Sequence, residues 1–228
     1  MCSTSLGAKR MSIGMRRALG IAALIDAALG LGSTISVVAI STGSPIVLPA
    51  VWMSPKGPVF YISAALSLIV LFGLWRLARP GIGSRLILSG AILLTVRSVA
   101  VVYAVLFAPI SSAAGQSAFT SLIPYINWMG AFVYLLVGAG LLVGTDLPAW
   151  VPWVAILSAL AAVTSILLPN GWSPVPGAAI QPGPASLGVA VVLSTVFSVV
   201  LGIVLLVQSS DAEHASNKGI ERTASALD

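Results

Sequence analysis

The stretch LILSGAILLTVRSVAVVYAVLFA, which runs from Leu86 to Ala108, decides the fold class of this chain. Its only charged side chain is that of Arg97, and it contains no proline. An α-helix rises about 1.5 Å per residue, so this stretch would be about 35 Å long as a helix. Because the hydrocarbon core of a bilayer is about 30 Å thick, the stretch predicts a helix that crosses a membrane.

The composition of the whole chain supports the same interpretation. Of its 228 residues, 58% are hydrophobic and 7% are charged, and the mean hydropathy is +1.06. Soluble domains carry roughly 25% charged residues, which they need to cover their surface. The chain is therefore predicted to be an integral membrane protein whose surroundings are the lipid bilayer.

Six apolar stretches are long enough to cross a bilayer, which takes about 20 helical residues. The predicted fold is all-α: a polytopic integral membrane helix bundle with six transmembrane helices. The flanking segments 1–16 and 209–228 are polar and lack helical periodicity, so both are predicted to be disordered tails. The predicted spans are 17–41, 58–78, 86–108, 124–144, 150–168 and 186–208.

The orientation follows from the lysines and arginines beside the spans, because such residues stay on the cytoplasmic side of a membrane. With the N-terminus inside, only Lys56 faces outward. Both termini are therefore predicted to be cytoplasmic. The basic residues that this orientation puts on the cytoplasmic side are Lys9, Arg10, Arg16, Arg17, Arg76, Arg79, Arg85, Lys218 and Arg222.

Two ionisable residues lie deep inside the predicted spans. Asp26 follows Arg17 by about 14 Å of helix and Arg97 follows Arg85 by about 18 Å, and both helices start at the cytoplasmic face. A lone charge in hydrocarbon costs about 2.5–3.5 kcal/mol on insertion scales, which favours mutual neutralisation. The sequence predicts an intramembrane ion pair of Asp26 and Arg97. It is either a structural pair that fixes helix register or a site for a polar headgroup or a proton.

Small polar side chains recur at helical spacing along the predicted spans. One interpretation is that they pack helices closely, as small residues do in membranes. The alternative is a partly hydrated cavity around Asp26 and Arg97. The residues predicted to line it are Ser33, Tyr134, Ser158, Ser165, Ser194 and Ser198. Gly140 and Gly144 form a G-x-x-x-G pattern. This pattern either marks a surface through which two helices dimerise or occurs by chance in a glycine-rich chain.

The rarity of reactive side chains excludes several chemistries. The chain has one cysteine, Cys2, and one histidine, His214, and both lie in the predicted tails. Zinc sites, iron–sulfur clusters, an intramembrane haem and a Ser/His/Asp triad therefore lack their residues. No basic stripe with interleaved aromatic residues is available for a nucleic acid. We expect no cofactor, no metal, no nucleic-acid partner and no enzymatic activity.

The segment GLWRLARP, from Gly73 to Pro80, followed by a span that holds Arg97 and Tyr103, resembles a bacterial membrane-protein family of unknown function. In that family a second span ends in a similar L-x-x-L-x-R-P-like cytoplasmic turn, and the next span carries a central arginine. Asp146–Trp150 is also similar to the start of that family's fifth span. The resemblance implies a six-helix integral membrane protein with no assigned activity. The expected location is the bacterial plasma (inner) membrane.

Three functions remain open from the sequence. The leading hypothesis is a non-enzymatic multi-pass protein that binds a lipid-like or small amphipathic ligand or supports a membrane complex. The alternative is a secondary transporter or permease in which Asp26 accepts a proton or an ion and Arg97 modulates it. A lipid-modifying enzyme is disfavoured, because the predicted spans contain no His, Glu or Cys. A membrane partner and homo-oligomerisation both stay open.

Overall fold

The computed structural model describes residues 13–42, 58–107, 113–167 and 184–225, and these form helices joined by short turns. The all-α prediction is confirmed for this part of the chain. Side chains are described for 13–32, 59, 61–103, 125, 128–164, 167 and 192–214. The helices in the described ranges are α1 (Ile13–Thr42), α2 (Pro58–Leu77), α3 (Ile82–Phe107), α4 (Ala113–Gly144), α5 (Trp150–Leu167) and α6 (Pro184–Ser225).

α1 and α3 begin four residues before their predicted starts, at Ile13 and Ile82, so residues 13–16 of the predicted N-terminal tail are helical. Two other helices are longer than predicted by more than ten residues. α4 begins at Ala113, so Pro124 lies inside the helix and not at its start. Membrane helices tolerate an interior proline where neighbours satisfy the freed backbone groups. α6 continues to Ser225, so residues 209–225, for which the sequence predicts a disordered tail, are helical. Propagating an existing helix costs far less than nucleating one, and this segment holds no proline that would stop it.

The helices form a closed ring in chain order. Each helix packs against its neighbours in the sequence, and α1 packs extensively against α6, which closes the ring. α1 and α6 are antiparallel, because Gly20 lies against Gly202 whereas Gly30, further along α1, lies against Thr195. In this ring α2 stands between α1 and α3.

Glycines allow the closest helix contacts. A Cβ atom on Gly83 of α3 would lie 2.5 Å from the Cα of Gly144 in α4, a distance that no side chain tolerates. A Cβ atom on Gly140 would lie 2.8 Å from the carbonyl oxygen of Gly83. The G-x-x-x-G pattern thus packs α4 against α3 within one chain. α1 and α6 approach in the same way, since a Cβ atom on Gly202 would lie 2.9 Å from the carbonyl oxygen of Gly20.

Ion pairs gather at one end of the ring, where α1, α3 and α5 begin. Arg17 of α1 pairs with Glu213 of α6, and Arg79 pairs with Asp146 between two tight turns. The amide of Arg79 also donates to the carbonyl oxygen of Gly144 at 2.7 Å. The first pair thus links α1 to α6, and the other contacts link the two turns, all at the end that the sequence predicts to be cytoplasmic.

The outer surface of the ring is apolar over much of its height. Ile82, Val99 and Val143 are more than 60% exposed, whereas Leu74, Ile87 and Leu201 on inward faces are fully buried. Two described segments, Ile82–Tyr103 in α3 and Val192–His214 in α6, are long and apolar enough to cross a membrane. Exposed apolar side chains of this kind are compatible with a lipid environment.

Candidate functional site

Asp26 lies in α1 on the face that packs against α2. One carboxylate oxygen accepts a hydrogen bond from the hydroxyl of Ser63 at 2.6 Å, and the other accepts one from Ser67 at 2.8 Å. These serines are four residues apart, so both project from one face of α2. Sequence reasoning did not assign them to Asp26. Their i, i+4 spacing marks both as polar residues on one face of an apolar span, but it does not say which helix that face meets.

Arg97 extends from α3 over the backbone of α4. A Cβ atom on Gly130 of α4 would lie 3.5 Å from the Nε atom of Arg97 and 3.7 Å from its Cζ atom. The glycine thus leaves space in which the guanidinium rests close to the helix. The sequence did not single out Gly130, because its role depends on a side chain from another helix.

Tyr134 lies one helical turn beyond Gly130 on the same face of α4. Its hydroxyl shares a hydrogen bond with Ser194 of α6, and it is close enough to Asp26 and Arg97 to interact electrostatically with both. The Tyr134 ring meets the ring of Phe197 edge to face, with centroids 6.0 Å apart and planes at 87°. Because α5 lies between α4 and α6 in the ring, this side chain connects two helices that are not neighbours.

These side chains surround one cavity inside the ring. Its volume is about 90 Å³, and α1, α2, α3, α4 and α6 all contribute to its walls. The polar groups on the walls belong to Asp26, Ser67, Arg97, Tyr134 and Ser198. The remaining walls are apolar, from Val70, Leu71, Leu94, Gly130, Val133, Val137, Phe197 and Leu201.

The predicted site residues fall into three groups. The cavity is lined by Asp26, Arg97, Tyr134 and Ser198. Ser194 does not line it but is hydrogen-bonded to Tyr134, which does. Ser158 is buried in α5 but donates to the carbonyl oxygen of Val154 in its own helix, at 2.8 Å, and lies outside the cavity lining. Ser33 and Ser165 have side chains outside the described residues.

Asp26 and Arg97 both line the cavity, and the ion pair between them stays a prediction. Within the described ranges the ion pairs join Arg17 to Glu213 and Arg79 to Asp146. The Asp26 oxygens are instead bound by the hydroxyls of α2, the helix that separates α1 from α3 in the ring. Asp26 and Arg97 thus reach one cavity from helices on either side of α2.

The size and lining of the cavity limit what it can hold. Pockets for drug-sized ligands measure about 300–1,000 Å³, and one water needs roughly 10–15 Å³ on the same kind of measure. A volume of about 90 Å³ accommodates several waters or one small polar molecule, and it is too small for a lipid chain. Across the described residues, no three His, Cys, Asp or Glu side chains come together as metal ligands.

Comparisons with known protein families, with curated proteins and with solved structures find no match for this chain. The geometry of the cavity therefore carries the functional argument.

Proposed function

We propose that this chain is a six-span protein of the bacterial plasma membrane, with both termini cytoplasmic, and that it acts as a secondary transporter or permease. The observation that carries this proposal is the cavity inside a closed ring of helices that both Asp26 and Arg97 line. Ionisable groups at membrane depth are costly, and they typically mark substrate pathways or proton relays.

The outer surface and the charged end of the ring support the membrane topology. Apolar residues such as Val99 and Val143 are exposed, as lipid contact requires. Arg17 and Arg79 lie at the same end of the ring, and Arg85 lies in the first turn of α3, which begins at that end. This clustering is what the preference of basic residues for the cytoplasmic side would produce.

The surroundings of Asp26 support a proton-binding role. A serine hydroxyl donates to a carboxylate and also accepts from a protonated carboxyl group, whereas a guanidinium only donates. Ser63 and Ser67 can therefore remain hydrogen-bonded to Asp26 in either protonation state. Arg97 supplies a fixed positive charge to the same cavity, where it can bind the negative end of a solute.

The cavity volume disfavours the lipid-like ligand that the sequence left as the leading hypothesis.

A role in a membrane complex is the second candidate, and the length of α6 favours it. Its 42 residues extend about 63 Å, which is roughly twice the hydrocarbon thickness. The polar portion beyond Gln208 would then project from the membrane, where a partner could bind it.

Proton movement in reconstituted liposomes tests the transporter proposal. A pH-sensitive dye is trapped inside, and nitrate, tetramethylammonium and glycine are added outside as an anion, a cation and a zwitterion. We expect at least one of the three to drive proton movement through the wild-type protein and through Ser158→Ala. The Asp26→Asn variant should abolish it. If folded wild-type protein moves no protons with any of the three solutes, the transporter proposal is wrong.

A further inference from the structure

We infer that the cavity binds a small planar monovalent oxyanion, of carboxylate or nitrate shape, at Arg97 together with one proton at Asp26. The inference rests on the proposed function and deepens it by naming the class of solute. The proton and the anion would enter as an electrically neutral pair.

The balance of charge in the cavity is the first argument. Asp26 and Arg97 contribute one negative and one positive charge to its walls. An added anion leaves an excess negative charge in an apolar environment unless a proton comes with it. Asp26 can accept that proton. An added cation has no equivalent relief, because Arg97 does not readily release a proton.

The shape of the donor groups is the second argument. A guanidinium presents parallel N–H groups in a plane, and these match the two oxygens of a carboxylate or nitrate. Because Gly130 has no side chain, the adjacent face of α4 leaves space for the guanidinium. A Cβ atom on Gly130 would lie 3.5 Å from the Nε atom of Arg97. The hydroxyl of Ser198 lies in the same walls as a further hydrogen-bond donor, and Ser67 can donate to the anion once it accepts a hydrogen bond from protonated Asp26.

The assignment of the proton to Asp26 follows from the groups that face it. In the described part of the chain, α2 presents only the hydroxyls of Ser63 and Ser67, and α6 presents that of Ser198. α3 contributes Arg97 and α4 contributes Tyr134. A tyrosine ordinarily titrates near pH 10, so a proton taken up between pH 5 and 8 belongs to the carboxyl group.

The size of the cavity is the third argument. A volume of about 90 Å³ suits an ion of a few heavy atoms and leaves no space for a long chain. Nitrate and acetate both have the required planar head. Nitrate is the cleaner probe because it does not itself titrate near neutral pH, and acetate tests whether a carboxylate binds in the same way.

Calorimetry on the purified full-length protein in detergent tests the inference. Sodium nitrate and sodium acetate are titrated in buffers of different ionisation enthalpy between pH 5 and 8, which gives the number of protons bound per anion. We expect one proton per anion, and an affinity that falls up to tenfold per pH unit once Asp26 is ionised in the free protein. Arg97→Gln should lose nitrate binding, whereas the control Ser158→Ala should retain it.

The Asp26→Asn variant tests anion binding separately from proton uptake. It should still bind nitrate but without proton uptake and without pH dependence. Infrared spectra of the wild-type protein give a second measurement that needs no variant, because nitrate should increase the absorption of a protonated carboxyl group.

The possible outcomes distinguish the inference from the proposed function. Anion binding without proton uptake, or proton uptake that persists in Asp26→Asn, overturns the inference alone. Binding of tetramethylammonium or glycine in place of nitrate and acetate also overturns it and leaves a solute site in the cavity. If none of these solutes binds to folded protein, both the inference and the proposed function fail.

Discussion

At the scale of single residues, the surroundings of Asp26 explain how a carboxylate can lie within an apolar ring. Its two oxygens are each satisfied by a serine hydroxyl from one face of α2. Hydrogen bonds to a charged group contribute about 1.5–3 kcal/mol each. The carboxylate is therefore stabilised within the α1–α2 contact, and it lines the same cavity as Arg97.

Removing the hydroxyl of Ser67 should lower stability measurably. Ser67→Ala leaves one Asp26 oxygen without its donor, so we expect the free energy of unfolding to fall by about 1.5–3 kcal/mol. Ser158→Ala is the matched control, because the Ser158 hydroxyl donates its hydrogen bond to the carbonyl oxygen of Val154 in the same helix. Thermal unfolding in detergent compares the two variants. If both variants lost the same free energy of unfolding, the hydrogen bond from Ser67 to Asp26 would contribute no more to stability than an ordinary intrahelical one.

Asp26 and Arg97 should also show unequal costs when each is removed. Asp26→Ala deprives Arg97 of the opposite charge in its cavity, whereas Arg97→Ala leaves a carboxyl group that can take up a proton. We expect Asp26→Ala to be less stable than Arg97→Ala by about 1–3 kcal/mol, and the double variant to recover part of that loss. A double-mutant cycle in detergent measures this. Strictly additive effects would show that the two charges do not interact.

At the scale of elements, small residues decide which helices approach most closely. The α3–α4 contact depends on Gly83 lying against Gly140 and Gly144, and the α1–α6 closure depends on Gly20 and Gly202. Helices in lipid gain no hydrophobic free energy from meeting each other, so close backbone contact supplies the attraction. A pattern that could mark a dimer interface is thereby used inside one chain.

A methyl group on Gly83 should disturb the α3–α4 contact. The added Cβ atom would meet the backbone of Gly144 at 2.5 Å, and backbone cannot rotate away as a flexible side chain can. We expect Gly83→Ala to lower the free energy of unfolding by about 1–3 kcal/mol. Gly14→Ala is the control, since nothing lies within 4 Å of its added Cβ atom. A Gly83→Ala variant as stable as wild type would contradict this packing.

At the scale of the whole molecule, the closed ring determines what can reach the interior. α2 separates α1 from α3, and Tyr134 links α4 to α6 across the inside of the ring. A solute bound between Asp26 and Arg97 would therefore touch helices from the start, the middle and the end of the chain. Such a site can couple binding to a movement of one part of the ring against another.

Cysteine labelling should establish the topology of the whole chain. In a background in which Cys2 is replaced by Ala, single cysteines at Ser84 and Ser216 should react with a membrane-impermeant reagent only from the cytoplasmic side. Cysteines at Ser112 and Ser173, which lie outside the described residues, should react from the outside. Intact and permeabilised cells are compared. A Ser216 cysteine labelled from outside would mean an odd number of spans.

The sequence by itself determined the helical class and most helix positions, and it predicts a similar membrane depth for Asp26 and Arg97. Hydropathy, proline placement and the rise of a helix are local properties of the chain, and so they can be inferred without knowing its neighbours. They also indicated Tyr134 and Ser198 as polar residues on helix faces. They could not say which face meets which helix.

Only the tertiary structure decided that α6 closes on α1 and that α2 stands between α1 and α3. That order gives Asp26 the hydroxyls of Ser63 and Ser67 as partners, and it directs Ser158 away from the cavity. The physical reason is that helix pairing depends on the fit of side chains from distant segments, such as Gly83 against Gly144, which no local pattern encodes.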